Sequence, residues 1–412
     1  MPPDPFAEDG DNEESPAKDS GAGDPASPFA GMPLFGDLAR ILGRQDPIGW
    51  DAARQLALSI ATDGGQEGNV DPLERIRLEQ LVRIAELHVG QVTGLPTSFG
   101  GTGVSILPVT RGQWAATTLD AWRPLFERLA GSLTPPAPPT QVDASDPLGF
   151  MAPLMAMMGP MMIGMTAGSM IGHLSVRSFG QYDLPIPRTP NDDLMVIPAN
   201  FEKFATEWSI PADDLRLWVC AQEIAMHSVL RIPHVRASVD DLLSAYAAGF
   251  EPDSTALEDR LSGLELDFSD PTSMSGMQSL FGDPEVLLGA IQSQSQRDML
   301  PKFEALIAAI VGYADHVVDR VGSSLLSNTT MISEAVRRRR VEADASDRFV
   351  ERLFGLELTQ AAYDRGAAFV SGIVERAGED ELVRLWESER TLPTPAEIDA
   401  PGLWLARIEL TD

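Results

Sequence analysis

Apolar residues recur at spacings of three and four from Trp50 to Thr62 and from Pro72 to Val92, the period of helices with one face in a core. The same period from Gly112 to Ala130 turns Trp114 and Trp122 inward. Phe35 to Leu42 is a shorter apolar helix, stopped at Asp46-Pro47. Later helices are expected from Pro211 to Leu230, where Asp213 and Asp214 suit the positive helix start. Others follow at Val239 to Ala248, Pro284 to Gln294, Leu300 to Val321 and Thr330 to Ala343, with at least two between Ser346 and Glu387. Strand-like runs are short: Ser105 to Val109 and Met195 to Asn200. Gln181 to Arg188 reads as extended, because a residue before proline avoids helix. Trp404 is expected to pack onto the body. No fixed-period repeat interrupts this pattern. The fold class it predicts is mainly α with a small minor β-sheet.

One run departs from amphipathic alternation. From Pro147 to Val176 there is no Asp, Glu, Lys or Arg, and half of the methionines fall there. It is long enough to span a bilayer, and Gly164, Gly168 and Gly172 give it a smooth face for close helix approach. Against insertion stand Pro153, Pro160, the glycines and the lack of aromatic or basic flanks. Methionine also fills irregular cores. A buried central helix is the expectation, with oligomer formation through the Met/Gly-rich face as an option.

Breaks in the pattern organise the rest. Residues 1–34 are acidic and rich in Pro and Gly, a tail expected to be disordered and unlike a signal peptide. Residues 35–134 form an N-terminal helical part, 135–146 a Pro-rich linker, and 147–412 the body with which 35–134 should make one compact unit. The chain's 412 residues and 43% hydrophobic content suffice for a large core. A net charge of -30 disfavours nucleic acid and anionic lipid as partners. The run Arg337 to Arg340 is the local exception, and an ion-paired, solvated face is its ordinary reading. A single cysteine, Cys220, excludes an internal disulfide and suits a cytoplasmic location.

The candidate chemistry lies in Gln222-Glu223-Ile224-Ala225-Met226-His227. The pattern H-E-x-x-H sets two imidazoles one helical turn apart on a zinc ion, with the glutamate as general base. Here Glu223 holds the base position, while Gln222 and Met226 stand where the histidines would be. Glu223 with His227, and Asp315 with Asp319 beside His316, share helix faces; a rebuilt metal site of Glu223, His227, His316 and Asp319 is one alternative. Hydrogen bonds and ion pairs between helices are the plainer reading. Cys220, His88, His173 and His234, the last in a loop after Pro233, read as structural. Phosphate-cradling glycine loops, a serine elbow and a dinucleotide fingerprint are absent.

The surrounding segments carry a resemblance. Gly49 to Arg54, Ala85 to Val89, Thr93-Gly94-Leu95-Pro96, Thr110 to Trp114, Gly180 to Arg188, Gly312 to Asp319, Arg348 to Ala377 and Leu385-Trp386-Glu387 resemble an actinobacterial zincin-like family. Its members are usually described as zinc-dependent metalloproteases or hydrolases. The resemblance covers about Phe35 to Leu410 and implies a zincin-like helical body. It also implies zinc in intact members, held by histidines at the positions of Gln222 and Met226 and by a glutamate at that of Val311. An amide, a thioether and an isopropyl group are poor zinc ligands. The expectation is therefore a metal-free pseudopeptidase without a cofactor, Glu223 being a vestigial base, which binds an unidentified protein or peptide. An active hydrolase with a rebuilt site and a structural or assembly protein are the alternatives.

Overall fold

A computed structural model describes residues 48–133, 147–251, 291–342, 350–356 and 358–411, all within a unit running Ile48–Asp412. The tail, the helix expected at Phe35 to Leu42, the linker 135–146 and most of the helix expected at Pro284 to Gln294 lie outside the described residues.

Helix α1 (Trp50–Ala61) buries Trp50, Ala53, Ala57 and Ala61, one residue per turn. Helix α2 (Pro72–Thr93) begins with Pro72 after Asp71, whose carboxylate accepts the Leu73 amide at 2.9 Å, and stops at left-handed Gly94. After β1 (Ser105–Pro108) comes α3 (Arg111–Leu133), which turns Trp114, Trp122 and Phe126 into the core. The uncharged run is α4 (Pro147–Arg177). Side chains added at Gly164, Gly168 and Gly172 would place Cβ under 3.0 Å from Ile48, Ala53 and Ile60. The glycine face is therefore filled by α1 of the same chain, and assembly through α4 would have to use other faces, where Met165 and Val176 are exposed. Among the described residues no helix is long and apolar enough to cross a membrane.

Strand β2 (Asp193–Val196) lies parallel to β1, Ile106 opposite Leu194, and its far side takes an antiparallel bridge from Gly180. The strand expected at Met195 to Asn200 is thus displaced toward the N-terminus. Pro198 does not end it but opens helix α5 (Pro198–Glu207), where a missing N–H costs nothing. The same effect moves the next boundary after α6 (Ala212–Leu230): Pro233 opens α7 (Pro233–Ala248), so His234 sits in a first helical turn and not in a loop. Short strands β3 (Phe250–Glu251) and β4 (Ile291–Gln292) pair antiparallel.

Helix α8 (Gln294–Leu325) starts at a capping box of Ser293 and Gln296. It packs on α6 on one side and on α10 (Gln360–Ala377) on the other, with α9 (Thr329–Val341) between them in sequence. Two 3-10 segments (Glu379–Trp386 and Glu389–Thr391) and helices α11 (Pro395–Ile398) and α12 (Pro401–Thr411) close the body. Trp404 is fully buried against Phe369, and its indole N–H donates to the Thr391 carbonyl at 2.7 Å. Trp404→Ala should lower the unfolding free energy by about 3–5 kcal/mol, read from the urea midpoint. An unchanged midpoint would contradict this packing.

Candidate functional site

From Leu215 to Leu230 every residue of α6 is buried, the signature of a helix packed on all sides. Arg216 ties its first turns to α2 and α5 through Glu74 at 2.6 Å and Glu202 at 2.8 Å. One and a half turns later the same helix carries Gln222, Glu223, Met226 and His227.

Glu223 is turned into the segment that bridges β2. Its carboxylate accepts the backbone amide of Gln181 at 2.9 Å and that of Tyr182 at 3.1 Å. Gly180 makes this approach possible, since a Cβ there would lie under 3.0 Å from the Glu223 carboxyl. The Gly180 carbonyl is fixed in turn by the Trp114 indole N–H at 2.9 Å. Burial, helped by the nearby Asp183 charge, raises the Glu223 carboxyl to about 8, although the two amides and Arg188 pull the other way. At neutral pH this group is mainly a neutral acid.

Both imidazole nitrogens of His227 are engaged. Asp192 Oδ1 lies 3.3 Å from Nε2, and the Tyr182 hydroxyl lies 3.1 Å from Nδ1. An ionised carboxylate only accepts, so the arrangement puts the proton on Nε2 and lets Nδ1 accept from Tyr182. Burial drives the His227 pKa below its ordinary value despite Asp192, while burial pushes Tyr182 up to about 12. Asp192 itself is held low: burial opposes this, but the amides of Phe99 and Gly100 and the imidazole outweigh it. The Phe99 ring packs edge-on against His227 at 5.7 Å.

The remaining positions complete the picture. Gln222 is buried with its side-chain oxygen unpartnered among the described residues, Met226 is buried, and Val311 is buried on α8. Beside Glu223 the free space is about 10 Å³, at most one water. The residues present do not fit a zinc ion, which needs three good donors and an open coordination position. They offer an amide, a thioether and a hydrocarbon, with the Glu223 carboxylate spent on backbone amides, Asp183 on Arg339, and the His227 imidazole on Asp192 and Tyr182.

The rebuilt alternative is not assembled either. Its residues Glu223 and His227 face the β2 side, whereas His316 lies 3.6 Å from Glu379 and Asp319 is exposed, accepting the Ser333 hydroxyl at 2.6 Å. Asp315 pairs with Arg340 at 2.8 Å. Among the described residues no three His, Cys, Asp or Glu side chains stand where they could hold a metal ion. Asp315 and Asp319 bind residues of α9, and His316 reaches the first 3-10 segment.

Arginine fills the cleft. Of the four consecutive arginines, Arg338 behaves as the sequence suggests, exposed and paired with Glu334 at 2.8 Å. Arg339 and Arg340 instead turn inward and line the small void beside Gln222 and Glu223. Arg339 lies over the Phe179 ring at 3.6 Å and binds Asp183 at 2.7 Å. Arg340 sits over Trp218 and Tyr363. The signal for this was present in spacing: Ile332 and Val336 put the inward face of α9 onto 339 and 340. Arg188 is buried between Trp114 and Trp122, bound to the Thr118 hydroxyl at 2.8 Å, with two nitrogens unpartnered among the described residues.

The lesser candidates are structural or apart. Cys220 is buried, and burial raises its thiol to about 12, too high for a nucleophile. His173 is exposed on α4 and His88 is half-buried on α2. His234 is lowered by burial, with Nε2 unpartnered.

A protein-family profile described as zincin-like metallopeptidase matches residues 48–405. Among solved structures, the chain is similar to one from Chloroflexus aurantiacus described as a candidate hydrolase with a novel fold. The identity is 23%, the TM-score 0.59, and the match covers 88% of this chain and 99% of that one. At that identity the likeness is one of fold. Among proteins of curated function, none matches.

Proposed function

The chain belongs to the zincin-like metallopeptidase family, and we propose that this member uses the scaffold without metal chemistry, as a pseudopeptidase that binds a protein or peptide. One observation carries this reading: Glu223, which would deprotonate a metal-bound water in a zincin, spends its carboxylate on the Gln181 and Tyr182 amides. A general base must reach the proton it takes, and the space beside it is at most that of one water, too small for a substrate. The guanidinium groups of Arg339 and Arg340 supply positive charge in the same cleft and neutralise Asp183 and Asp315. What remains of a peptidase is then its shape.

Elemental analysis of the full chain, purified without chelator and then offered zinc, tests this directly. Well under 0.1 equivalent of zinc, manganese or iron per chain is expected. About one equivalent of any of them would overturn the reading.

A further inference from the structure

The sealed cleft at Glu223 leaves open the question of where a partner is held, and a second cavity answers it. About 480 Å³ of space lies between the end of α2, the middle of α8 and the first 3-10 segment. That volume is within the range of sites for small ligands or single side chains.

Its walls differ in character. One is the last turn of α2, Gln91 to Gly94, where the Gly94 amide closes only the Gly90 carbonyl. Among the described residues the later carbonyls of that turn have no donor from a following turn, and the turn itself carries no basic residue to offset the negative end of the helix. The opposite wall begins with Glu379 and Asp380. Arg320 neutralises Glu379 at 2.9 Å, whereas Asp380 has no ion-pair partner among the described residues. His316 reaches Glu379 at 3.6 Å, and burial lowers its pKa below the ordinary imidazole value although Glu379 pulls the other way. The floor is apolar, with Val317 and Leu382 buried in the core. A cation with an apolar stem fits such a space: the head satisfies the acidic rim and the methylenes cover the floor.

We propose that this cavity receives a lysine or arginine side chain of a protein or peptide partner, its charged head against Asp380 and the end of α2 and its stem on Val317 and Leu382. The site deepens the reading of the chain as a binding protein and rests on it for the partner, but it uses none of the residues around Glu223. Arg320 also lines the cavity but is spent on Glu379, so the net charge left on the rim is that of Asp380, which favours a cation over an anion.

Nα-acetyl-lysine methylamide, Nα-acetyl-arginine methylamide and Nα-acetyl-glutamate methylamide are suitable probes of the full chain, followed by imidazole NMR in moderate salt. The chain has five histidines, so the His316 signal can be assigned by its loss in His316→Gln. The two basic probes should shift that signal saturably, with Kd about 1–10 mM for ligands of this size, and the acidic probe should not. Glu379→Gln combined with Asp380→Asn should weaken the basic probes about fivefold or more. Val92→Trp, which fills the mouth from a half-exposed position, should abolish the shift. Equal response to the acidic probe, no saturable shift, or an unaffected double variant would each overturn the site. Metal in the purified chain, by contrast, would sink the metal-free reading and leave this cavity standing.

Discussion

Glu223→Gln should remove a loss of stability that the parent chain suffers as pH rises from about 4.5 to 8. The sign follows from linkage. A carboxyl whose ordinary value is 4.5 and whose folded value is about 8 keeps its proton in the native state while the unfolded chain releases it. Through that interval the unfolded state binds fewer protons, so unfolding becomes easier with rising pH, and the effect levels off above the folded value. The full excursion is on the order of 5 kcal/mol, a few thousandfold in the folding equilibrium. Glutamine does not titrate. Its carbonyl oxygen can take the Oε2 position and accept both the Gln181 and Tyr182 amides, and the NH₂ left near the Tyr182 amide costs about 1 kcal/mol or less, independent of pH. Urea unfolding of parent and variant at pH 5 and pH 9 isolates the difference, since every other titrating group is shared. Parallel profiles would mean that Glu223 is not sequestered as described.

Gly312→Val should leave little or no folded protein. A Cβ at Gly312 would fall under 3.0 Å from the Gly366 backbone, and one at Gly366 would meet the Ala308 carbonyl as closely. Helices α8 and α10 therefore touch main chain to main chain, and neither side can yield by rotating a side chain. Valine would have to part the two helices along a seam that also buries Phe369 and Val370. Close-packed interiors resist such movement, and a loss beyond about 4 kcal/mol takes most of an ordinary domain's stability. Alanine at the same position should be intermediate, at about 1–3 kcal/mol. Soluble yield and the urea midpoint report both, and a valine variant that unfolds with the parent would refute the close crossing.

The helices were legible because their apolar period was strong, as at Trp50 to Ala61 and Pro72 to Thr93. Boundaries at prolines were not: Pro198 and Pro233 look like stops in a sequence, yet each is the first residue of a helix whose N–H would be idle anyway. At the site, the identity of the degenerate ligand positions could be read directly from Gln222, Glu223 and Met226. The partners of Glu223 could not, because backbone amides carry no side-chain signature and every residue but proline supplies one. That the structure does not bring Glu223 and His227 together with His316 and Asp319 has a related reason. A shared helix face says which residues are neighbours along one helix, but the direction in which that face looks is decided by packing. The inward turn of Arg339 and Arg340 ran against the prior for a basic run, and only their register with Ile332 and Val336 hinted at it.

The two inward arginines have a wider implication. A charge carried on a side chain arrives with translation, once per molecule, and no chelator or shortage of an element can strip it out. In the reading developed above, the scaffold is thereby released from the supply of trace metal on which its catalytic kin depend, and remains intact whether or not zinc is to be had.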